Sequence, residues 1–172
     1  KGYVAALQLD NGEVLTEGPA ILQCLVDLAP ANTLAPPPGT WERIRLQEQL
    51  NFISSEIHAG CAPLFNADIP ESVKAIFRHT LFKRLDYLNQ QLLDQAYLLG
   101  TFGVADAYLF TVLTWLPTFG IDIEGWPALA GYSQRIAARR GQHIVDFVLQ
   151  RIGDLLRPDL QQQRHRLIGQ FL

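Results

Sequence analysis

The chain predicts a mostly α fold in which a β-hairpin and one helix precede an all-helical domain. Three observations carry that prediction. Asp10-Asn11-Gly12, a hairpin-turn sequence, separates two short runs of strand-forming character. The proline run Ala35-Pro36-Pro37-Pro38-Gly39 cannot continue a helix and favours extended geometry, so it marks a linker between two units. Beyond it, apolar residues recur at helical spacing almost to the C-terminus.

The elements follow in order. Tyr3 to Leu9 reads as a strand and Glu13 to Leu15 as its return, with Thr16 as the N-cap of a helix carrying Glu17 and Pro19 in its first turn. That helix shows Ile21, Leu22, Leu25 and Leu28 as its apolar pattern. After the linker, Trp41 to His58 carries Ile44, Leu50, Ile53 and Ile57, and Glu71 to Leu93 carries Val73, Ile76, Phe77, Leu81, Leu85, Leu88 and Leu92. Val104 to Leu116 is apolar nearly all round, as expected of a helix at the centre of a bundle. Helices are predicted near Ala128 to Arg139 and Gln142 to Leu156, with a further amphipathic segment from Pro158 to Phe171. The domains expected are therefore 1–33, a linker at 34–40, and an all-helical domain at 41–172.

Composition limits what such a fold can do. With 172 residues, 48% of them hydrophobic, the chain is long enough to bury a sizeable core. A net charge of −3 without a Lys/Arg cluster argues against nucleic acid as a partner. The apolar runs fall short of the roughly 20 residues that span a bilayer, and no signal-peptide pattern opens the chain, so a cytoplasmic protein without a membrane role is expected. Cys24 and Cys61 lack metal or dithiol spacing and are expected to be unpaired thiols, with no metal site. The sequence contains no Met and begins at Lys1, which points to a processed, truncated or incompletely determined product.

Four stretches give this order of elements a family. Lys1-Gly2-Tyr3-Val4-Ala5-Ala6-Leu7 resembles the N-P-K-G-x-V-P-A-L segment of bacterial beta-class glutathione transferases, and Val14-Leu15-Thr16-Glu17-Gly18-Pro19-Ala20-Ile21 resembles their L-T-E-S/G-x-A-I turn. Asn51 to His58 with Gly60 is similar to their N-x-x-x-x-E-x-H-x-G helix, and Gly103 to Phe110 to their S/T-x-A-D-A-Y-L-F motif. The motifs stand in the family's order, and the resemblance runs from Lys1 to about Arg139. It implies a partial thioredoxin-like domain, hairpin plus helix, followed by an all-helical glutathione-transferase C-terminal domain. The family's first strand, with the Cys, Ser or Tyr that meets the glutathione sulfur, has no counterpart among these residues. The chain as given is accordingly expected to bind glutathione weakly and not to conjugate it to a general electrophile.

The resemblance also nominates site residues. Glu17 and Gly18 begin a helix, where free N–H groups and the helix dipole favour a carboxylate and the acid can accept from an ammonium; the family uses this turn for the γ-glutamyl end of glutathione. Glu17 read alone also fits an acid that merely favours a helix start. Val4 is the residue whose backbone would pair with the cysteinyl amide, although Ala5 stands where the family has a cis-proline. Asn51, Ser55 and His58 lie four and three residues apart, on one face of an ideal helix. The family places them beside glutathione, with His58 near the sulfur as hydrogen-bond donor or proton carrier; a solvated polar face is the plainer alternative. Asp106 is expected to serve as the acid of a capping box whose hydroxyl is replaced by Gly103, so that Gly103→Ser would change stability by only a few tenths of a kcal/mol. Trp115, Phe119 and Trp126 fit a core as well as an acceptor pocket.

The function implied is transfer of the glutathione thiol, as co-substrate, to small hydrophobic electrophiles or disulfides by a homodimer. The rival is a transferase-like binding or scaffold protein that has lost the thiol chemistry, which the missing first strand, Ala5 in place of proline and Gly103 in the capping box would suit.

Overall fold

A computed structural model of the chain describes residues 5–29 and 34–139, and these divide into two compact units. The expected helices at 142–156 and 158–171, and Val4, lie outside the described residues.

The smaller unit is a hairpin with a helix on it. Strands β1 (Ala6–Gln8) and β2 (Val14–Thr16) pair antiparallel, with Leu7 opposite Leu15. Gly12 takes φ 88°, a conformation that glycine adopts without a Cβ penalty, and Asn11 Oδ1 accepts from the Glu13 amide at 3.0 Å to hold the turn. Helix α1 (Gly18–Leu28) buries Ile21 and Leu25 against Leu7, with Ala5, Leu9 and Leu15 at the edge of that core; Leu28, read as part of the apolar stripe, is exposed. The expected N-cap is displaced by one residue. Thr16 ends β2, and Glu17 caps α1 at φ 75°, the one non-glycine residue with positive φ among those described.

The larger unit is all helical, comprising α2 (Trp41–Phe52), α3 (Ala59–Phe65), α4 (Glu71–Gln91), α5 (Val104–Leu113) and α6 (Pro127–Ala137). Thr40 caps α2, its Oγ1 accepting from the Arg43 amide, and the buried Arg43 guanidinium donates to the Pro36 carbonyl at 3.0 Å, tying the proline run to the helix. α4 packs on α3 and α6, and α5 lies against α2 and α6. The central role expected for the 104–116 segment holds: Val104, Ala105, Leu109, Val112 and Leu113 are all buried, although the helix stops at Leu113 and a 3₁₀ turn follows at Leu116–Phe119. No helix of the described residues is long and apolar enough to cross a membrane.

Two departures from the expected pattern bear on function. The helix begun at Trp41 does not end at His58: residues Ile53–His58 widen into a π-helical turn, in which the Ala59 amide reaches back five residues to Ser54 O, and α3 continues the run to Phe65. In addition, Ile44, Val73 and Ile76, read as core from their spacing, are exposed.

Candidate functional site

The π-helical turn decides which side chains share a face. One extra residue in a turn shifts everything after it by roughly 100° relative to an α-helix, so the line Asn51, Ser55, His58 drawn at α-helical spacing does not survive. Ser55 Oγ instead donates back to the Asn51 carbonyl at 3.0 Å. Ser54, which sequence reasoning passed over, shares the environment of His58. Both meet the hydroxyl of Tyr108 on α5: His58 Nδ1 lies 2.7 Å from it, and the Ser54 side chain hydrogen-bonds to it.

Around His58 the described residues build an aromatic wall. The Trp115 ring meets the imidazole edge to face at 4.9 Å and the Tyr108 ring does so at 5.8 Å. Phe65 extends the wall, 5.6 Å from Trp115 and 4.6 Å from Phe119. Such edge-to-face pairs add specific attraction to the area they bury. Phe65 at the end of α3 is exposed, so one end of the wall is open to a ligand. Trp126, grouped with these aromatics on sequence grounds, lies elsewhere: its ring packs on Phe82 and its Nε1–H donates to Asp86 at 2.7 Å.

Desolvation tunes both polar members of the cluster. Partial burial lowers the His58 pKa below its ordinary value, favouring the neutral ring, and raises that of Tyr108, favouring the protonated phenol, against a smaller opposing effect of the Ser54 hydrogen bond. Cys61 has no such role, since complete burial in the helical core pushes its thiol up to about 11. Cys24 and Cys61 are both free thiols.

In the smaller unit, the start of α1 offers a second set of groups. Pro19 brings no N–H, the Ala20 and Ile21 amides are satisfied by Glu17 O, and the Gly18 amide has no partner among the described residues. Glu17 holds its positive φ at this point, and such strain in a non-glycine residue costs about 1–3 kcal/mol, which persists only where the surroundings impose it. Among the described residues, no group of three or more His, Cys, Asp or Glu side chains is placed to hold a metal.

The Tyr108 signal was present in the sequence, within the A-D-A-Y segment, but an apolar helix gives no means of telling a hydroxyl that faces a histidine from one that faces the core. The π-helical turn had no signal at all, since Ser54 and Ser55 are chemically alike.

Comparison with known proteins gives these features a setting. The model of the glutathione S-transferase C-terminal domain matches residues 52–140. A glutathione S-transferase of Escherichia coli O157:H7 is 44% identical over 140 residues, covering 81% of this chain and 70% of its own length. The solved beta-class glutathione S-transferase of Sphingomonas chungbukensis superposes with a TM-score of 0.77 at 39% identity, over 90% of this chain and 73% of the other. A sphingomonad glutathione S-transferase solved in complex with glutathione gives 0.79 at 39% identity, over 88% and 75%. A matching domain model, a close relative and beta-class structural neighbours together establish that the chain belongs to the glutathione S-transferase family, alongside its bacterial beta-class members.

Proposed function

We propose that the protein is a cytoplasmic, homodimeric transferase that joins the thiol of glutathione to a small hydrophobic electrophile or exchanges it with a mixed disulfide. The observation that carries this reading is the His58 imidazole set edge to face against Trp115 in an aromatic wall. In conjugation, the thiol gives up its proton, the sulfur forms a bond to carbon, and the leaving group departs with the electron pair of the bond that breaks. In exchange, the thiolate attacks one sulfur of the disulfide and the other leaves as thiolate. Either route needs a donor that stabilises the thiolate as it forms and an apolar surface that holds the acceptor. His58 serves as the donor, and Trp115 and Phe65 form the surface, with Phe119 buried behind Phe65. Glu17 and the Gly18 amide take the ammonium and carboxylate of the γ-glutamyl end, and the Val4 backbone takes the cysteinyl amide.

Calorimetric titration with glutathione and a conjugation assay with an aryl halide, both on the full-length protein, test this reading. Glu17→Gln should weaken glutathione binding by roughly 10-fold, since a hydrogen bond to a charged group contributes about 1.5–3 kcal/mol. His58→Gln should lower kcat with little change in affinity. Failure to bind glutathione overturns the proposal. Binding without turnover would favour the non-catalytic alternative.

A further inference from the structure

Tyr108 has no role in the function proposed above, yet its hydroxyl sits between two polar side chains of the π-helical turn. It lies 2.7 Å from His58 Nδ1 and is hydrogen-bonded by Ser54. A phenol has one proton to give, and a neutral imidazole has one nitrogen that accepts and one that donates. Two arrangements are therefore available. Either Tyr108 donates to Nδ1 and accepts from Ser54, or Nδ1–H donates to Tyr108, which in turn donates to Ser54. The first pairs the more acidic donor with the more basic acceptor, because a phenol O–H, with an ordinary pKa near 10, is a stronger donor than a neutral imidazole N–H, and the imidazole nitrogen accepts better than a phenol oxygen. Partial burial acts in the same sense, lowering the His58 pKa and raising that of Tyr108, which favours the neutral ring and the protonated phenol.

We propose that Tyr108 is a positioning residue for His58: its hydroxyl, held by Ser54, donates to Nδ1, fixes the Nε2–H tautomer, and leaves Nε2–H as the donor for the glutathione sulfur. The last clause rests on the reading of His58 as the partner of the sulfur; the tautomer does not. Nε2 has no hydrogen-bond partner among the described residues, and the Trp115 ring, 4.9 Å away at 77°, restrains the plane of the imidazole. The π-helical turn is what makes this arrangement available, since it brings Ser54 rather than Ser55 to the same hydroxyl as His58. Positioning of a histidine through its second nitrogen is a general device, because the partner at one ring nitrogen decides where the proton at the other resides.

Tyr108→Phe keeps the ring and removes only the hydroxyl. In the unsubstituted protein, at a pH above the titration of His58, the ring nitrogen-15 shifts should show one protonated Nε2 and one bare Nδ1, His58 being identified among the four histidines by its loss in His58→Gln. In Tyr108→Phe the two shifts should move together, as in an imidazole that exchanges between tautomers, and Ser54→Ala should move them part of the way. In the conjugation assay, Tyr108→Phe should lower kcat by roughly 10-fold with KM for glutathione unchanged, and should have no further effect in the His58→Gln background. An unchanged tautomer in Tyr108→Phe overturns the proposal, whatever the activity. A changed tautomer with unchanged kcat overturns the assignment of Nε2–H to the sulfur. Absence of glutathione turnover in the unsubstituted protein is instead the failure of the functional reading, visible before any variant is compared, and the ring nitrogens then still decide the positioning.

Discussion

Asp106 is 1% exposed, yet it accepts three hydrogen bonds: from the Leu98 amide at 2.9 Å and the Tyr132 hydroxyl at 3.0 Å on Oδ1, and from the Gly103 amide at 2.8 Å on Oδ2. One carboxylate thus joins the chain before α5, the start of α5 and the middle of α6. Removing it leaves three donors without an acceptor, each at a cost of about 1–3 kcal/mol, so Asp106→Ala should lose about 3–5 kcal/mol in urea unfolding. A loss under about 1 kcal/mol would show that water replaces the carboxylate. Burial raises the Asp106 pKa above its ordinary value, with the Leu98, Gly103 and Tyr132 hydrogen bonds opposing it. Its folded value then exceeds its unfolded one, so the stability it contributes is full below the unfolded value of about 3.9 and is lost as pH rises through the folded value. Asp106→Asn removes that titration, and its cost should therefore be larger in acid than at neutral pH. Gly103 corrects an expectation drawn from the sequence. A Cβ at this position would lie 2.9 Å from the Leu34 carbonyl oxygen, which also accepts from the Val104 amide at 2.9 Å. Gly103→Ser should therefore cost about 1–3 kcal/mol rather than a few tenths, because backbone must move to admit the side chain. Thermal unfolding that shows equal stability would refute that close approach.

At the scale of elements, α6 is held through its N-terminus by α4. Trp126, in the N-cap position, offers no side-chain oxygen, and Asn89 on α4 supplies the acceptor instead, taking the Ala128 amide at 2.9 Å and the Leu129 amide at 3.2 Å on one Oδ1. Phe82 and Asp86, two turns and one turn earlier on α4, hold the Trp126 ring and its N–H. The junction is thus a cap supplied from another helix. Asn89→Ala should cost about 1–2 kcal/mol, and Asn89→Asp should cost little, because a carboxylate is also favourable at a helix start. An Asp variant as damaged as the Ala variant would show that packing rather than capping decides the site. This is also where the limits of legibility lie. Helices α2, α4, α5 and α6 and the hairpin turn were readable because each carries its signal locally, in spacing, Pro or Asn-Gly. Asn89, Tyr108 and Ser54 were not, because each acts on a residue distant in sequence, or through a turn whose extra residue shifts the helix register. Thr16 failed as a cap for a similar reason: β-pairing with Ala6 claims it as the end of β2.

For the whole molecule, the informative residues are those whose spacing predicted a core that the described residues do not provide. Ile44, Val73 and Ile76 fit the apolar stripes of α2 and α4, yet Ile76 is 65% exposed, and Trp41, at the start of α2, is 70% exposed. Leu81, Leu85 and Leu88, further along α4, are buried as expected, so the stripe is sound and only its first part lacks cover. Single exposed apolar residues are common, but Trp41 with Ile44, and Val73 with Ile76, each repeat at i and i+3, which gives two helices an apolar edge. A second copy of the chain is the simplest partner for such edges, because a two-fold axis places the same patch on both subunits and closes the assembly. The expected outcome is a dimeric mass by light scattering at micromolar concentration. Ile76→Glu combined with Trp41→Glu should give a monomer, since each dimer would then bury four carboxylates without partners. The far-ultraviolet circular dichroism of that variant should remain helical, because neither side chain belongs to the buried core of its own chain. A monomeric unsubstituted protein, or a double variant that stays dimeric, would place the interface elsewhere or remove it.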